Sequence, residues 1–254
     1  MSVVLSLYDY TGAALQPWAD DGYKCYAFDI QHKGTTTVSS GASFYRGEIN
    51  YVEADLYDEA VLDEIASTYN NVQFLSAVPP CTDLSAAGAR WWSFKFAVNP
   101  RFQEQALTAV TNAAKLAEKI GCPYYIENPV GALSRIWRKP DHTFDPFEYG
   151  GYLPKADSHP KYPDIIPPRD AYRKRTCLWT GNGFRMPERK PVDYVNVKLN
   201  RAKKGKGENF SPVHAKTGGK SQRTKNIRSA TPRGFAQAVY SQNRFCSPPV
   251  VDAT

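Results

Sequence analysis

Hydrophobic and polar positions follow two different periods along the first half of the chain. Short apolar runs typical of buried strands occupy residues 2–9, 23–30, 50–58, 71–78 and 123–129. Apolar residues recur at helical spacing in 59–69 and 99–121, and a turn followed by a short helix fits 11–22. Strands that alternate with helices favour βαβ units. We therefore predict an α/β fold with a mostly parallel sheet for residues 1 to about 130.

The pattern changes in the second half of the chain. Residues 138–195 are rich in Pro, Gly, Tyr and Asp, and they contain one convincing strand, RKRTCLW at 173–179. Close to the C-terminus, TPRGFAQAVYSQNRF at 231–245 has apolar residues on one helical face. This segment predicts a helix with Thr231 as N-cap and Pro232 at the first helical position.

Residues 198–228 form a basic segment with few apolar side chains. Lys and Arg are dense there, and Glu208 is the only acid. A segment that can bury so little has no strong reason to fold alone. We expect it to be small and irregular, to bind phosphate groups and to become ordered on contact. A solvated segment without a role remains the alternative. We also expect the tail after Phe245 to be loose.

Composition narrows the class of protein. The chain has 254 residues, of which 42% are hydrophobic and 13% aromatic, as in a folded globule rather than a disordered chain. The net charge of +7 is consistent with a polyanionic partner. Five cysteines form no CxxC pair or zinc-type cluster, which favours a reducing compartment without a metal site. No signal peptide or membrane-length apolar run is apparent, so we expect a soluble cytoplasmic protein with no membrane partner.

Three loops that follow predicted strands carry candidate cofactor residues. The first strand leads into YDYTGAA, where Gly12 would let the backbone approach a ligand. Asp29 ends the second strand, where α/β folds often place an acid against ribose hydroxyls, and Asp55 ends the third. An ordinary βα turn explains Gly12 equally well, and a helix cap explains Asp29 equally well. Taken together, the three loops predict a nucleoside-containing cofactor.

The next two strands end in groups suited to covalent chemistry. Cys81 follows the fourth strand in SAVPPCTDLSAAG, where two prolines prevent regular strand pairing and place the thiol in a loop. Glu127 lies at the end of the fifth strand in YYIENP. A thiol and a carboxylate beside one pocket suit nucleophilic catalysis assisted by proton transfer. Cys25, Cys122 and Cys177 are better explained as packing residues.

PPCTDLSAAG followed by IENP resembles the paired signature of the cytosine carbon-5 DNA methyltransferases, most closely their short phage-type members. LSLYDYTGAA, AFDIQ, EADL and TPRGFAQAV agree with the family's order of motifs. The resemblance covers residues 1 to about 135, 170–182 and 230–243. It implies a Rossmann-like methyltransferase fold, S-adenosylmethionine as cofactor and double-stranded DNA as partner. It also implies a monomeric enzyme of a bacterial or phage-infected cell, with a role such as restriction–modification.

The resemblance also implies a division of the chain and a set of site residues. Residues 1–180, completed by the helix at 229–245, would form the catalytic unit, 181–228 the target-recognition region and 246–254 a tail. Cys81 would attack carbon 6 of a flipped cytosine, and Glu127 would bind ring nitrogen 3 and the exocyclic amine. The cofactor contacts would be Tyr8, Asp9, Thr11, Gly12, Asp29, Ile30, Asp55, Leu56 and Pro79. By resemblance, the substrate contacts would be Pro80, Ser85, Asn128 and Arg173. The charge of the basic segment adds Lys203, Lys204 and Lys206 as expected DNA phosphate contacts.

Two departures from the family pattern keep other functions open. The family's Q-x-R-x-R strand corresponds here to Ala171, Arg173 and Arg175, so the glutamine is missing and Arg175 is the candidate for the cytosine carbonyl. A basic strand edge that meets phosphate is the alternative for both arginines. The first loop lacks the family's glycine-rich F-x-G-x-G-G. A related enzyme with another donor, or with RNA or a nucleotide as acceptor, is one alternative function, and an inactive DNA-binding relative is another.

Overall fold

The computed structural model describes residues 2–39, 47–199, 208–219 and 221–244. Three predicted contacts, Lys203, Lys204 and Lys206, lie outside these residues, as do Cys246 and the predicted tail. Within them, eight strands form one sheet in the order β3-β4-β2-β1-β5-β6-β8-β7. They are β1 Val3–Leu7, β2 Lys24–Phe28, β3 Thr35–Ser39, β4 Glu48–Val52, β5 Val72–Ala77, β6 Tyr124–Pro129, β7 His142–Phe144 and β8 Thr176–Gly181.

The described residues also form α-helices, a two-stranded ribbon and three 3-10 helices at Ala86–Trp91, Pro146–Tyr152 and Pro168–Asp170. The ribbon pairs β9 Val197–Leu199 with β10 Glu208–Phe210 in antiparallel orientation. The helices are α1 Gln16–Asp20, α2 Glu59–Thr68, α3 Trp92–Val98, α4 Phe102–Ile120, α5 Leu133–Ile136, α6 Pro212–Lys216, α7 Gln222–Ser229 and α8 Arg233–Asn243. The predicted helix at 99–121 corresponds to α4, which ends at Gly121 in the left-handed conformation with φ of 77°.

The sheet is covered by helices on both faces. Alternate side chains of β1 point to opposite faces: Leu5 and Leu7 join one apolar cluster and Val4 joins the other. Helices α2 and α4 cover the first face, and α1 and α8 cover the second. The parallel pairs β4-β2, β2-β1, β1-β5 and β5-β6 make the sheet mostly parallel. The predicted α/β class is confirmed, and the architecture is compatible with a Rossmann-like fold.

Several boundaries differ from the sequence prediction. The third predicted strand, β4, ends at Val52 rather than near residue 58. Beyond Val52 the acids bond to nearby backbone: the Glu53 carboxylate accepts from Gly34 N–H, and the Asp55 carboxylate accepts from Tyr57 N–H. The edge strand β3 was not predicted. Its residues are all exposed, so it has no apolar alternation for a pattern to detect.

The start of α8 corrects the predicted cap. Pro232 occupies the N-cap position, and Arg233 is the first helical residue, so Thr231 lies one position too early to be the cap. The helix obtains its acceptor from a distant loop instead. Asp170 accepts a hydrogen bond of 2.8 Å from the Gly234 N–H, and Asp157 pairs with the Arg233 guanidinium at 2.8 Å. Asp170 thus satisfies a backbone N–H of the first turn of α8 as a local cap would, and Asp157 holds the side chain of its first residue.

The basic segment is more ordered than its composition predicts. Helices α6 and α7 lie within it, and Val213 and Ile227 are buried against Ile166 and Tyr172. The expectation that this segment is irregular is therefore wrong for these two helices. Their apolar partners come from a loop that precedes β8, and no local pattern shows such a pairing. The division of the chain into a catalytic unit and a recognition region stays a prediction.

Candidate active site

The candidate residues lie at one edge of the sheet, where the parallel strands end. β5 and β6 pair in parallel register, with Ala77 opposite Ile126. The Cys81 loop follows β5, and Glu127 comes directly after Ile126 in β6. The carboxyl ends of parallel strands meet at a common edge, which is the usual ligand-binding edge of α/β sheets. The thiol loop and the carboxylate are consequently neighbours.

The Cys81 loop is held by hydrogen bonds from the following turn and from β6. The Cys81 carbonyl accepts from the Leu84 and Ser85 N–H groups at 3.1 and 2.9 Å. Asn128 is buried, and its side-chain amide donates to the Pro79 carbonyl at 3.0 Å. Pro79 is buried, Pro80 is exposed and Cys81 is partly exposed. The loop thus presents the thiol from a fixed backbone.

A second set of contacts joins this loop to the segment after β6. Ser85 forms an isolated antiparallel bridge with Gly131. The Ala86 N–H donates to the Val130 carbonyl, and the Ala132 N–H donates to the Leu84 carbonyl. Ser85 is itself buried. Its predicted contact with substrate could therefore be made only by its own backbone or hydroxyl group, at the edge of the bridge to Gly131.

Gly131 allows the close approach of these two segments. A Cβ at this position would lie 1.9 Å from the Leu84 carbonyl oxygen. We expect Gly131→Ala to destabilise the fold by about 1–3 kcal/mol, the usual cost of an overpacked site. Urea unfolding should show it. Gly218→Ala is the control, because its Cβ has no heavy atom within 4 Å. Equal stability of Gly131→Ala and the wild type would contradict the rigid junction.

Glu127 is a buried acid with a cationic partner. Its side chain is 4% exposed, and Lys174 Nζ lies 3.4 Å from Glu127 Oε1. Lys174 immediately precedes Arg175, after which β8 runs antiparallel to β6 with Pro129 opposite Thr176. A buried carboxylate needs such a partner, because an unpaired charge in the interior is costly. Lys174 was not among the site residues predicted from the sequence.

The two arginines selected from the sequence have other contacts. Arg175 Nη1 lies 3.3 Å from Asp145 Oδ2, and 54% of the Arg175 side chain is exposed. The Arg173 guanidinium lies over the Tyr194 ring, 5.4 Å from its centroid. Among the described contacts, neither arginine meets Cys81 or Glu127. In an extended segment, the side chains of Arg173 and Arg175 lie on one side and that of Lys174 lies on the other. This alternation is the sequence feature from which Lys174 could have been predicted as a separate candidate.

The surroundings of Cys81 push its acidity in opposite directions. Burial raises the pKa of the Cys81 thiol, and the nearby Glu127 carboxylate adds to this increase. The cationic groups of Lys174 and Arg228 lower the pKa of the same thiol. Burial dominates, so the protein without substrate favours the protonated thiol.

The other described cysteines differ from Cys81 in their burial. Cys25, Cys122 and Cys177 lie in the apolar clusters of the sheet. Burial raises the pKa of Cys122 to about 12 and also raises that of Cys177. Thiols held in this way are inert packing groups. Cys81 is the partly exposed cysteine among the described residues.

The loop after β1 is organised by its own acid. Asp9 Oδ1 accepts hydrogen bonds from the Thr11 N–H, the Thr11 hydroxyl and the Gly12 N–H. Asp9 Oδ2 accepts from Ser6. Gly12 has a φ of 68°, and a Cβ there would come within 2.5 Å of the Tyr51 hydroxyl. Asp9, Thr11 and Gly12 therefore shape the loop through mutual contacts.

The remaining predicted cofactor residues divide into accessible and buried groups. Ile30 is 64% exposed and Asp55 is exposed, whereas the Leu56 side chain belongs to the apolar core. Asp29 accepts from the Gln31 N–H at 2.8 Å, and burial raises the pKa of its carboxyl. The Tyr8 hydroxyl donates to the Leu56 carbonyl at 3.1 Å. Of these residues, Ile30 and Asp55 have exposed side chains, and Asp29 is buried.

A cavity of about 240 Å³ opens beside the Cys81 loop. Its volume is below the roughly 300–1,000 Å³ of a complete ligand site, so it suits one part of a larger ligand. Among the residues that line this cavity, Pro80 was predicted from the sequence, whereas those on α4 and in the loop after β4 were not. The lining consists of Tyr57, Pro80, Thr82, Asp83, Asn99, Phe102, Gln105 and Ala106.

Membrane-spanning helices and metal-binding clusters are absent from the described residues. In the described ranges, no helix is long and apolar enough to cross a bilayer. The same residues contain no group of three or more His, Cys, Asp or Glu side chains able to hold a metal ion. Comparison of the chain with models of known protein families gave no match, and comparison with curated protein sequences gave none either.

Proposed function

We propose that this protein is a DNA cytosine carbon-5 methyltransferase that acts through a covalent adduct with Cys81. The observation that carries the proposal is the junction between the two signature loops. Cys81 and the buried Glu127 end adjacent strands, and the bond from Asn128 to Pro79 fixes one loop to the other. A thiol and a carboxylate held together at a ligand-binding edge suit addition to an electron-poor ring.

Each group has a defined part in the proposed reaction. The Cys81 thiolate adds to carbon 6, and the displaced ring electrons move through carbon 4 to nitrogen 3. Nitrogen 3 takes a proton from Glu127, whose carboxyl receives that proton from solvent as the base binds. Carbon 5 is then nucleophilic. After methyl transfer, nitrogen 3 returns its proton to Glu127. A base removes the carbon-5 proton, the double bond re-forms, and the carbon–sulfur bond breaks to release the thiolate.

The residues of the sheet edge suit part of a nucleoside-containing methyl donor. S-adenosylmethionine, when bound, supplies the methyl group that carbon 5 takes. Ile30 offers an exposed apolar surface for a base. Asp29, which follows β2, is the candidate acid for ribose hydroxyls, although its side chain is buried. The cavity beside Pro80 and Tyr57 gives further room for such a ligand. Asp9 and Gly12 would support the donor indirectly by shaping the first loop.

A second candidate keeps the same thiol chemistry with another donor. It is favoured by the first loop, where the Asp9 carboxylate accepts three bonds at Oδ1 from its own loop and Gly12 is packed against Tyr51. The Leu56 side chain, assigned to the donor by resemblance, is also buried in the core. These contacts leave less of the loop for a donor than the family pattern implies.

Nucleoside analysis of DNA from cells that express the protein tests both candidates. We expect 5-methylcytosine in DNA from cells with the wild-type protein and none with Cys81→Ala. A different cytosine adduct that depends on Cys81 would support the second candidate. If DNA is unmodified in both samples while the protein is folded and expressed, the proposal of a DNA methyltransferase fails.

The proposed DNA partner rests on charge. The chain carries a net charge of +7, and the basic segment supplies cations both on α7 and beyond the described residues. We expect joint replacement of Lys203, Lys204 and Lys206 by Gln to weaken DNA binding and reduce its salt dependence. The slope of log affinity against log salt should change by about 0.9 for each phosphate that is no longer neutralised. Binding measured from low to high salt checks this, and an unchanged slope would refute the role of these lysines.

A further inference from the structure

Lys174 lies beside Glu127, one of the two groups that the proposed chemistry uses, with its ammonium 3.4 Å from the carboxylate. Its positive charge also lowers the pKa of the Cys81 thiol. Its side chain is 23% exposed, so water screens these interactions only in part. The adjacent Arg175 is 54% exposed and pairs with Asp145 instead.

We propose that Lys174 is a positioning residue that serves Glu127 and Cys81 in turn. In the free protein, its ammonium pairs with the Glu127 carboxylate. When substrate binds and Glu127 takes up a proton from solvent for the reaction, the ammonium becomes available to stabilise the Cys81 thiolate. The second step rests on the proposed function, whereas the electrostatic link among the three side chains does not.

The charges around Cys81 explain why one cation can have this effect. The groups that act on the thiol are Lys174, Glu127 and Arg228, and the first two oppose each other directly. A carboxylate that is neutralised no longer disfavours a nearby thiolate, and it no longer offsets the field of the ammonium. Formation of the Cys81 thiolate is therefore coupled to the binding of substrate by Glu127. The Cys81 thiol would therefore stay protonated and unreactive until a cytosine base binds in the site.

Alkylation of Cys81 by iodoacetamide, followed across pH, measures this link without DNA or a methyl donor. The thiolate is the reacting form, so the pH profile reports the thiol pKa. A Cys246→Ser background removes a cysteine outside the described residues, and Cys81→Ala on that background gives the blank. At neutral pH, we expect Lys174→Met to slow alkylation about tenfold and Glu127→Gln to accelerate it about tenfold. Lys174→Arg should restore a profile close to that of the parent.

Matched variants separate a local effect from a general one. Lys190→Met removes a cation that lies over the Tyr152 ring, and it should leave the alkylation profile unchanged. If Lys174→Met does not fold, the Glu127→Gln and Lys174→Arg profiles still decide. An unchanged or slower reaction in Glu127→Gln would overturn the proposal, as would an unchanged profile in folded Lys174→Met. Because no DNA is present, these outcomes are independent of whether the protein methylates DNA.

Discussion

Cys81→Ala should eliminate 5-methylcytosine formation while leaving DNA binding largely intact. The substitution removes the only atom that forms the proposed bond to carbon 6, and no described residue near it offers another thiol, since Cys177 is buried. The fold should tolerate the change, because the turn after Cys81 is held by the Cys81 backbone carbonyl rather than by the sulfur. Product analysis and DNA-binding measurements on the same preparation check the two halves of the expectation.

Cys246→Ser is the control for the loss of a cysteine, and it should retain product formation. The decisive comparison is between product and binding. If Cys81→Ala loses both product and folding, Cys81→Ser separates the two effects. Serine keeps the shape of the side chain but is a much weaker nucleophile. Turnover retained in Cys81→Ala would refute the covalent mechanism, whatever the identity of the methyl donor.

Glu127→Gln should slow the chemical step about 100- to 1,000-fold, the usual effect of losing one preorganised group that stabilises a transition state. Glutamine can still accept and donate hydrogen bonds, but it cannot give nitrogen 3 the proton that balances thiolate addition. Single-turnover rates with saturating DNA measure this step. The substitution also leaves Lys174 without its anionic partner.

Glu64→Gln provides a matched control for the loss of a carboxylate, because Glu64 is an exposed acid of α2. It loses the same charge and should keep the wild-type rate. The combination expected for Glu127→Gln is unusual: a more reactive thiol in the absence of DNA and a slower reaction in its presence. A full rate in this variant would remove Glu127 from the mechanism and leave Cys81 to be assisted by another group.

The first half of the fold follows from its sequence because its elements are local and regular. β1, β2, β5 and β6 are short apolar runs, and α2 and α4 have clear helical spacing. Parallel strands linked by helices have few arrangements, so the ends of β5 and β6 could be predicted to meet. The proximity of Cys81 to Glu127 needed no further information than this order of elements.

The second half depends on contacts between residues distant in the chain. Val213 and Ile227 are isolated apolar residues in a basic segment, and they are buried only because Ile166 and Tyr172 lie opposite. The start of α8 is satisfied by Asp170 rather than by the neighbouring Thr231. A propensity or cap rule considers neighbours along the chain, so it cannot anticipate such partners.

The sequence by itself determined the α/β class and predicted that the Cys81 loop and the strand end with Glu127 lie close together. Only the tertiary structure decided which cation contacts that acid. Arg173, Lys174 and Arg175 are consecutive cations, and the choice depends on how the segment before β8 is oriented against β6. That orientation brings Lys174 to Glu127 and turns Arg175 to Asp145. Orientation across an antiparallel pair is set by long-range packing, because a shift of one residue exchanges the two sides of a strand.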